Sequence, residues 1–363
     1  MNLRIGAFGR QEAAAAVWIC AFSGGCFAFD NRALFSDGNA SYLVQTIASA
    51  LSLLLFFCAL HALKRCGGLD LSALIGASRA KKALAPFLIL SLLLAAMQPQ
   101  QQFLLTVTQY VFVDAKQTAV CLYLLPCLLL LTALGAEPLM RTARLLAPVL
   151  FLSTVAALLL NLPQSHPYRL FPIPVGKPEK LLTDSASAMH RAFSPLLALL
   201  CIGEGTQDRK SLKSAGCLGA GIGAGTVVAM LFGLSLGFSY RMLAEMPSPF
   251  YRLLVEARTE NPTLRLDRVA LFLWMTGALL ASAIEVYAAA VLYCKTFAVR
   301  DVRPVAALFS AFCVVSILVL YYDTEATVRI LELLYRCGWL FAVVPLPLLC
   351  ISGKEKRPCA ASC

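Results

Sequence analysis

Residues 12–29 read EAAAAVWICAFSGGCFAF, an apolar run with Ser23-Gly24-Gly25 set inside it. As a helix at about 1.5 Å per residue, such a run is nearly long enough to cross a hydrocarbon core of roughly 30 Å. Glu12 stands at its edge, and the run ends without a small-residue cleavage box, so it reads as a first membrane span rather than a leader. Adjacent glycines each weaken a helix by about 1 kcal/mol relative to alanine. Two explanations stand open for them. They allow a neighbouring helix to pack closely, or they mark an unwound point whose backbone groups hold a ligand.

The same kind of run recurs along the chain. Further spans are expected near 41–63, 84–113, 117–136, 145–162, 188–205, 215–238, 266–294, 304–322 and 327–351. The runs are continuous rather than alternating, which points to helices, since a helix satisfies its own backbone in lipid. The 363 residues are 59% hydrophobic and only 14% charged. A soluble domain carries roughly 25% charged residues. The composition therefore excludes a soluble enzyme, a disordered chain and a disulfide-rich secreted domain. The expected fold class is an all-α polytopic membrane protein of about ten helices in a single membrane domain. Its first repeat would cover about 12–162, with an outer loop at 163–187, a second repeat over about 188–351 and a tail at 352–363.

The formal charge of +11 is spread thinly over loops, with no arginine-rich tract, so no nucleic-acid partner is expected. Placing both termini in the cytoplasm puts Arg4, Arg10, Lys64, Arg65, Arg141, Arg144, Arg209, Lys210, Lys213, Arg300 and Arg303 on the inner side, in keeping with the positive-inside rule. Pro163, Pro167, Pro172, Pro174 and Pro178 suggest an extended outer loop. The segment 239–265 suggests a short helix lying on the outer surface. None of the 14 cysteines forms a CxxC pair, and His61, His166 and His190 are scattered, so no metal site is indicated. No enzyme motif occurs, and no cofactor is expected.

In lipid the informative residues are the polar ones. Ser194-Pro195 interrupts the sixth run after His190 and Arg191, as a simple kink or as a ligand-binding break matched to that of the first run. The third run carries Gln98, Gln100, Gln101 and Gln102 around Pro99, for inter-helix hydrogen bonds or for the polar wall of a cavity. Glu285 lies deep in the eighth run, and Arg336 in the last is its candidate partner. A structural ion pair and a coupling-ion or proton site are both open for it.

The order of these features resembles the membrane-embedded B subunit of the spore germinant receptors, a branch of the amino acid–polyamine–organocation transporter superfamily. The resemblance is carried by 21–50 (AFSGGCFAFDNRALFSDGNASYLVQTIASA), 168–182 (YRLFPIPVGKPEKLL), 264–297 (LRLDRVALFLWMTGALLASAIEVYAAAVLYCKTF) and 321–349 (YYDTEATVRILELLYRCGWLFAVVPLPLL). It implies a LeuT-like 5+5 inverted repeat. It also implies nutrient sensing, often of amino acids, beside A and C subunits in the spore inner membrane. By position it places Ser23, Gly24 and Gly25 around a ligand with Phe193, Ser194 and Pro195. The family's polar Gly-x-Glu-like step in span 6 is replaced here by the mostly apolar 195–204, PLLALLCIGE, and its acidic position in span 3 by Gln101 or Gln102. A plain amino-acid permease of the same fold is the alternative.

Overall fold

The computed structural model describes residues 6–27, 39–75, 82–112, 116–171, 178–246, 248–256, 266–322, 337–341 and 343–351. The described chain is helical almost throughout. The long helices are α1 (Arg10–Cys26), α2 (Ser41–Cys66), α3 (Ala85–Thr106), α4 (Gln117–Leu134), α5 (Ala136–Asn161), α6 (Pro178–Cys201) and α7 (Arg209–Gly237). Two short helices follow, α8 (Tyr240–Glu245) and α9 (Pro249–Glu256). Then come α10 (Leu266–Phe297), α11 (Val302–Tyr322) and α12 (Pro345–Ile351). Among the described residues seven helices are both long and apolar enough to cross a membrane: α2, α3 with its π-helical extension, α4, α5, α7, α10 and α11. The protein is an integral membrane protein.

Local chemistry sets the ends. The last turn of α2 carries Lys64 and Arg65, favourable at the negative end of the helix dipole, and Gly67 closes it at φ 78°. The α7 start is capped by Asp208, whose carboxylate accepts from the Ser211 N–H at 2.8 Å. α5 begins after Gly135, well before the expected 145, because Glu137, Arg141 and Arg144 sit in its first turns without breaking the helix. α6 also begins earlier than expected, at Pro178 inside the expected outer loop, where a proline at a helix start loses no hydrogen bond.

Pair contacts fix the helix directions. Gly219 faces Ala14 and Val17, Gly223 faces Ala21, and Gly25 faces Val227, so α1 and α7 run parallel. Tyr42 stacks edge-on to Phe232 while Phe56 meets Gly216, so α2 and α7 are antiparallel. Ser194 meets Glu285 and Glu204 meets Lys295, so the chain through α6 runs parallel to α10. Cys20 meets Ala281 and Phe22 meets Trp274, which sets α1 antiparallel to α10.

α1 is buried along most of its length, among α5, α6, α7 and α10. Trp274, Phe22, Phe56 and Phe193 are among the largest fully buried side chains, while α4, α5 and α11 expose many large apolar ones, as lipid-facing helices do. α9 differs from the surface helix expected of it. Phe250, Tyr251, Leu253 and Leu254 are all buried, so it is inserted into the mouth of the bundle. Asn161 Nδ2 anchors it, donating to the Leu253 carbonyl at 2.9 Å.

Candidate functional site

Of the readings left open for the first and sixth runs, the structure shows an intact helix at both points. α1 is helical through Ser23, Gly24 and Gly25, and ends one residue later at Cys26. α6 is helical through Phe193, Ser194 and Pro195, and ends at Cys201. Membrane burial favours an intact helix at both points, since each broken backbone pair would need a replacement partner. The chain leaves α6 instead through a 3₁₀ turn, Gly203–Gly205.

The glycines are explained by packing. A Cβ on Gly25 would lie 2.5 Å from Val227, so α1 approaches α7 only because that hydrogen is there. Gly24 faces α6, where a Cβ would meet the Arg191 carbonyl at 3.7 Å. That carbonyl is four residues before Pro195, which has no N–H to offer it. Ser23 is different: its hydroxyl is fully buried and has no hydrogen-bond partner among the described residues.

The third helix brings the strongest polar set. Gln98, Gln100, Gln101 and Gln102 are all buried. Among the described residues, Gln98 Nε2, both amide atoms of Gln100 and Gln101 Oε1 have no partner. A buried amide without a hydrogen bond costs on the order of 1–3 kcal/mol. Buried polar atoms are usually hydrogen-bonded, so each of these calls for a water or another molecule to complete it. Gln102 is satisfied: Nε2 donates to Ser248 Oγ at 2.8 Å, and Thr106 Oγ1 meets the same hydroxyl at 2.7 Å. Ser248 immediately precedes α9, so these bonds hold the inserted helix against α3. Between them lies a narrow cleft lined by Cys26, Phe27, Gln102, Thr106, Ser248 and Trp274 among others. The end of α1 and the glutamine helix thus face one space. Pro195 lines a second narrow cleft with Gln45, Ser49, Ala192 and Val227. Pro195 and Gln102 therefore border different spaces.

Glu285 is 3% exposed and accepts one hydrogen bond, from Ser194 Oγ at 2.9 Å. Among the described residues it has no basic partner. The expected partner, Arg336, lies outside the described residues, so that pairing is not on view. One helical turn away, Ser282 donates to the Ala96 carbonyl at 2.8 Å, tying α10 to α3 just before Pro99. His190 Nε2 lies 3.0 Å from the Ser91 carbonyl, tying α6 to α3. α6, α3 and α10 are thus cross-linked by polar bonds within the bundle.

Sequence reasoning missed one cluster. Lys295, 8% exposed at the end of α10, pairs with buried Asp70 and, at 2.6 Å, with half-exposed Glu204. Ser72 adds a hydroxyl bond to Asp70 at 2.7 Å. Beside it Gly205 receives the Phe8 ring so closely that a Cβ would lie 2.0 Å away, and the Phe8 N–H donates to the Gly205 carbonyl at 3.0 Å. This end of the bundle, which carries Arg10, is closed by an ion cluster and an aromatic plug. Asp70 and Lys295 are far apart in sequence, and no spacing reveals their meeting.

The architecture is that of LeuT-fold transporters. The chain superimposes on a Na⁺-coupled sialic acid symporter in a substrate-bound outward-open state, with TM-score 0.67 at 11% identity over 94% of this chain and 79% of the other. A manganese transporter of Eremococcus coleocola gives 0.63 at 17% identity over 94% and 77%. A nucleobase-cation-symport-1 family transporter, Mhp1, closed with bromovinylhydantoin bound, gives 0.61 at 12% identity over 95% and 80%. No curated protein sequence matches the chain. Residues 74–327, from the connector after α2 through the end of α11, match the model of the spore germination proteins, and the chain belongs to that family of membrane permeases.

Proposed function

We propose that this protein is the nutrient-sensing membrane subunit of a spore germinant receptor, and that it binds a small polar molecule such as an amino acid without converting it. The observation that carries the reading is the unpartnered polar set inside the bundle: Ser23 Oγ, Gln98 Nε2, the Gln100 amide and Gln101 Oε1. An amino acid carries a carboxylate to accept and an ammonium group to donate, which suits a set holding both amide N–H donors and carbonyl acceptors. Membership in the spore germination family supports the sensing role. In this reading A and C subunits receive the signal, the protein resides in the spore inner membrane, and both termini face the cytoplasm.

Binding of the nutrient would order the glutamine side chains and draw α3 against α1, with α9 closed over the site through Ser248. The shift then reaches the opposite end through α6 and α10, which share the Ser194–Glu285 bond and end at the Lys295 cluster. A permease that releases its ligand inward is the second reading, favoured by the transporter fold. Deletion of the gene in the spore-forming host separates the two, scored by nutrient-triggered germination and by uptake in growing cells. Lost germination with normal uptake supports the receptor. Normal germination with lost uptake of an amino acid supports the permease.

A further inference from the structure

We propose that the seam between α2 and α7, at the Arg10 end of the bundle, is a binding site for the headgroup of an anionic phospholipid. The antiparallel register given by Tyr42–Phe232 and Phe56–Gly216 brings the last turn of α2 level with the first turn of α7. Lys64 and Arg65 thereby join Arg209, Lys210 and Lys213 at one end of one seam. Among the described residues none of these five has an ion-pair partner. The neighbouring carboxylate, Asp208, is committed to capping α7 through Ser211.

Three other basic residues at the same end are paired. Arg141 meets Glu137 at 2.5 Å, Arg144 lies 3.9 Å from Glu12, and Lys295 holds Asp70 and Glu204. Arg10, Arg300 and Arg303 also lack an ion pair among the described residues, but they belong to other elements, whereas the α2–α7 seam gathers five such charges. Next to it the surface turns apolar. The Lys213 ammonium lies 5.5 Å from the centre of the Phe57 ring, which is 42% exposed. Leu54 of α2 and Leu218 and Ile222 of α7 continue the exposed apolar rows. Between the α7 residues, Gly221 and Gly225 have open space where a side chain would stand.

A cluster of cations above an apolar trough matches a molecule with a negative head and acyl chains. Free phosphate would use the cations and leave the trough unused. Each basic residue near an anionic surface adds to the attraction, and the cation over Phe57 fixes the depth at which the head would sit.

The test uses the purified full chain in detergent, with retention of phosphatidylglycerol and of phosphatidylcholine read by native mass spectrometry. The wild type should retain phosphatidylglycerol in preference to phosphatidylcholine. Removing the cluster (K64Q/R65Q/K210Q/K213Q) should lower that retention at least tenfold. The control R300Q/R303Q removes charge from the same end and should leave retention unchanged. Filling the trough with G221L/G225L should weaken retention several-fold with the cations intact. K213Q alone, an exposed change that leaves the helix core untouched, should weaken it about threefold. Equal retention of the two lipids would overturn the proposal, as would unaltered retention in the cluster variants or an equal loss in the control. Tighter binding of an acidic peptide than of phosphatidylglycerol would assign the cluster to a protein partner and overturn it as well.

Discussion

Ser194 donates its hydroxyl hydrogen to Glu285 across 2.9 Å and joins α6 to α10 inside the bundle. The carboxylate is 3% exposed, and the hydroxyl is its one partner among the described residues. A hydrogen bond inside a protein is worth about 0.5–1.5 kcal/mol net. Ser194→Ala should therefore lower thermal stability in detergent by an amount in that range. A double-mutant cycle with Glu285→Gln should show coupling between the two positions. If Glu285 also takes part in signalling, Glu285→Gln should change the pH profile of the nutrient response. A profile that overlays the wild type would restrict Glu285 to packing.

Gly25 against Val227 makes a second test. Gly25→Leu drives a side chain into the α1–α7 contact, where even a Cβ would stand 2.5 Å from Val227. Overpacking of this kind costs typically 1–3 kcal/mol. The variant should lose stability, and Val227→Ala should restore part of it. Failure of Val227→Ala to rescue would argue that Gly25 is needed for something other than close approach.

The Lys295 cluster should divide unequally. Asp70 is 2% exposed, so Asp70→Asn leaves a buried ammonium underpaired, a change that costs on the order of 3 kcal/mol. Glu204 is 46% exposed, so Glu204→Gln should cost about 1 kcal/mol or less. Equal effects in thermal unfolding would contradict the geometry.

Asp208 gives a pH prediction outside the spans. Hydrogen bonds from the Ser211 hydroxyl and N–H hold its carboxyl below the usual carboxylate range. Its folded pKa is depressed, so its contribution is present above the unfolded value and is lost as pH falls through the folded one. Asp208→Ala should remove that acid-side dependence. Asp208→Asn should keep the cap while removing the titration.

The fold was largely legible because apolar runs long enough to span a membrane have few alternatives. α2, α3 and α4 begin within a residue of expectation. The breaks were not legible. Gly24-Gly25 and Pro195 look like interruptions in one dimension, but neighbouring helices reward an intact backbone there. The glutamines of α3 were legible as polar residues in a run that should have none. The unpartnered amide atoms of Gln98, Gln100 and Gln101 needed coordinates, as did the Lys295 cluster and the insertion of α9. The Glu285–Arg336 pairing read from the sequence falls outside the described residues.

Gln101 carries the central claim most directly. It is buried, and its Oε1 has no partner among the described residues. Replacing an unpartnered buried amide by an apolar side chain of similar size is expected to be neutral or stabilising. The measurement is nutrient binding to purified full-length Gln101→Leu and wild type, by thermal stabilisation against a panel of amino acids. The wild type should be stabilised by at least one nutrient. The variant should have an equal or higher melting temperature alone and no response to that nutrient. A full response from a stable variant would contradict the assignment of the glutamine helix as the wall of the ligand site.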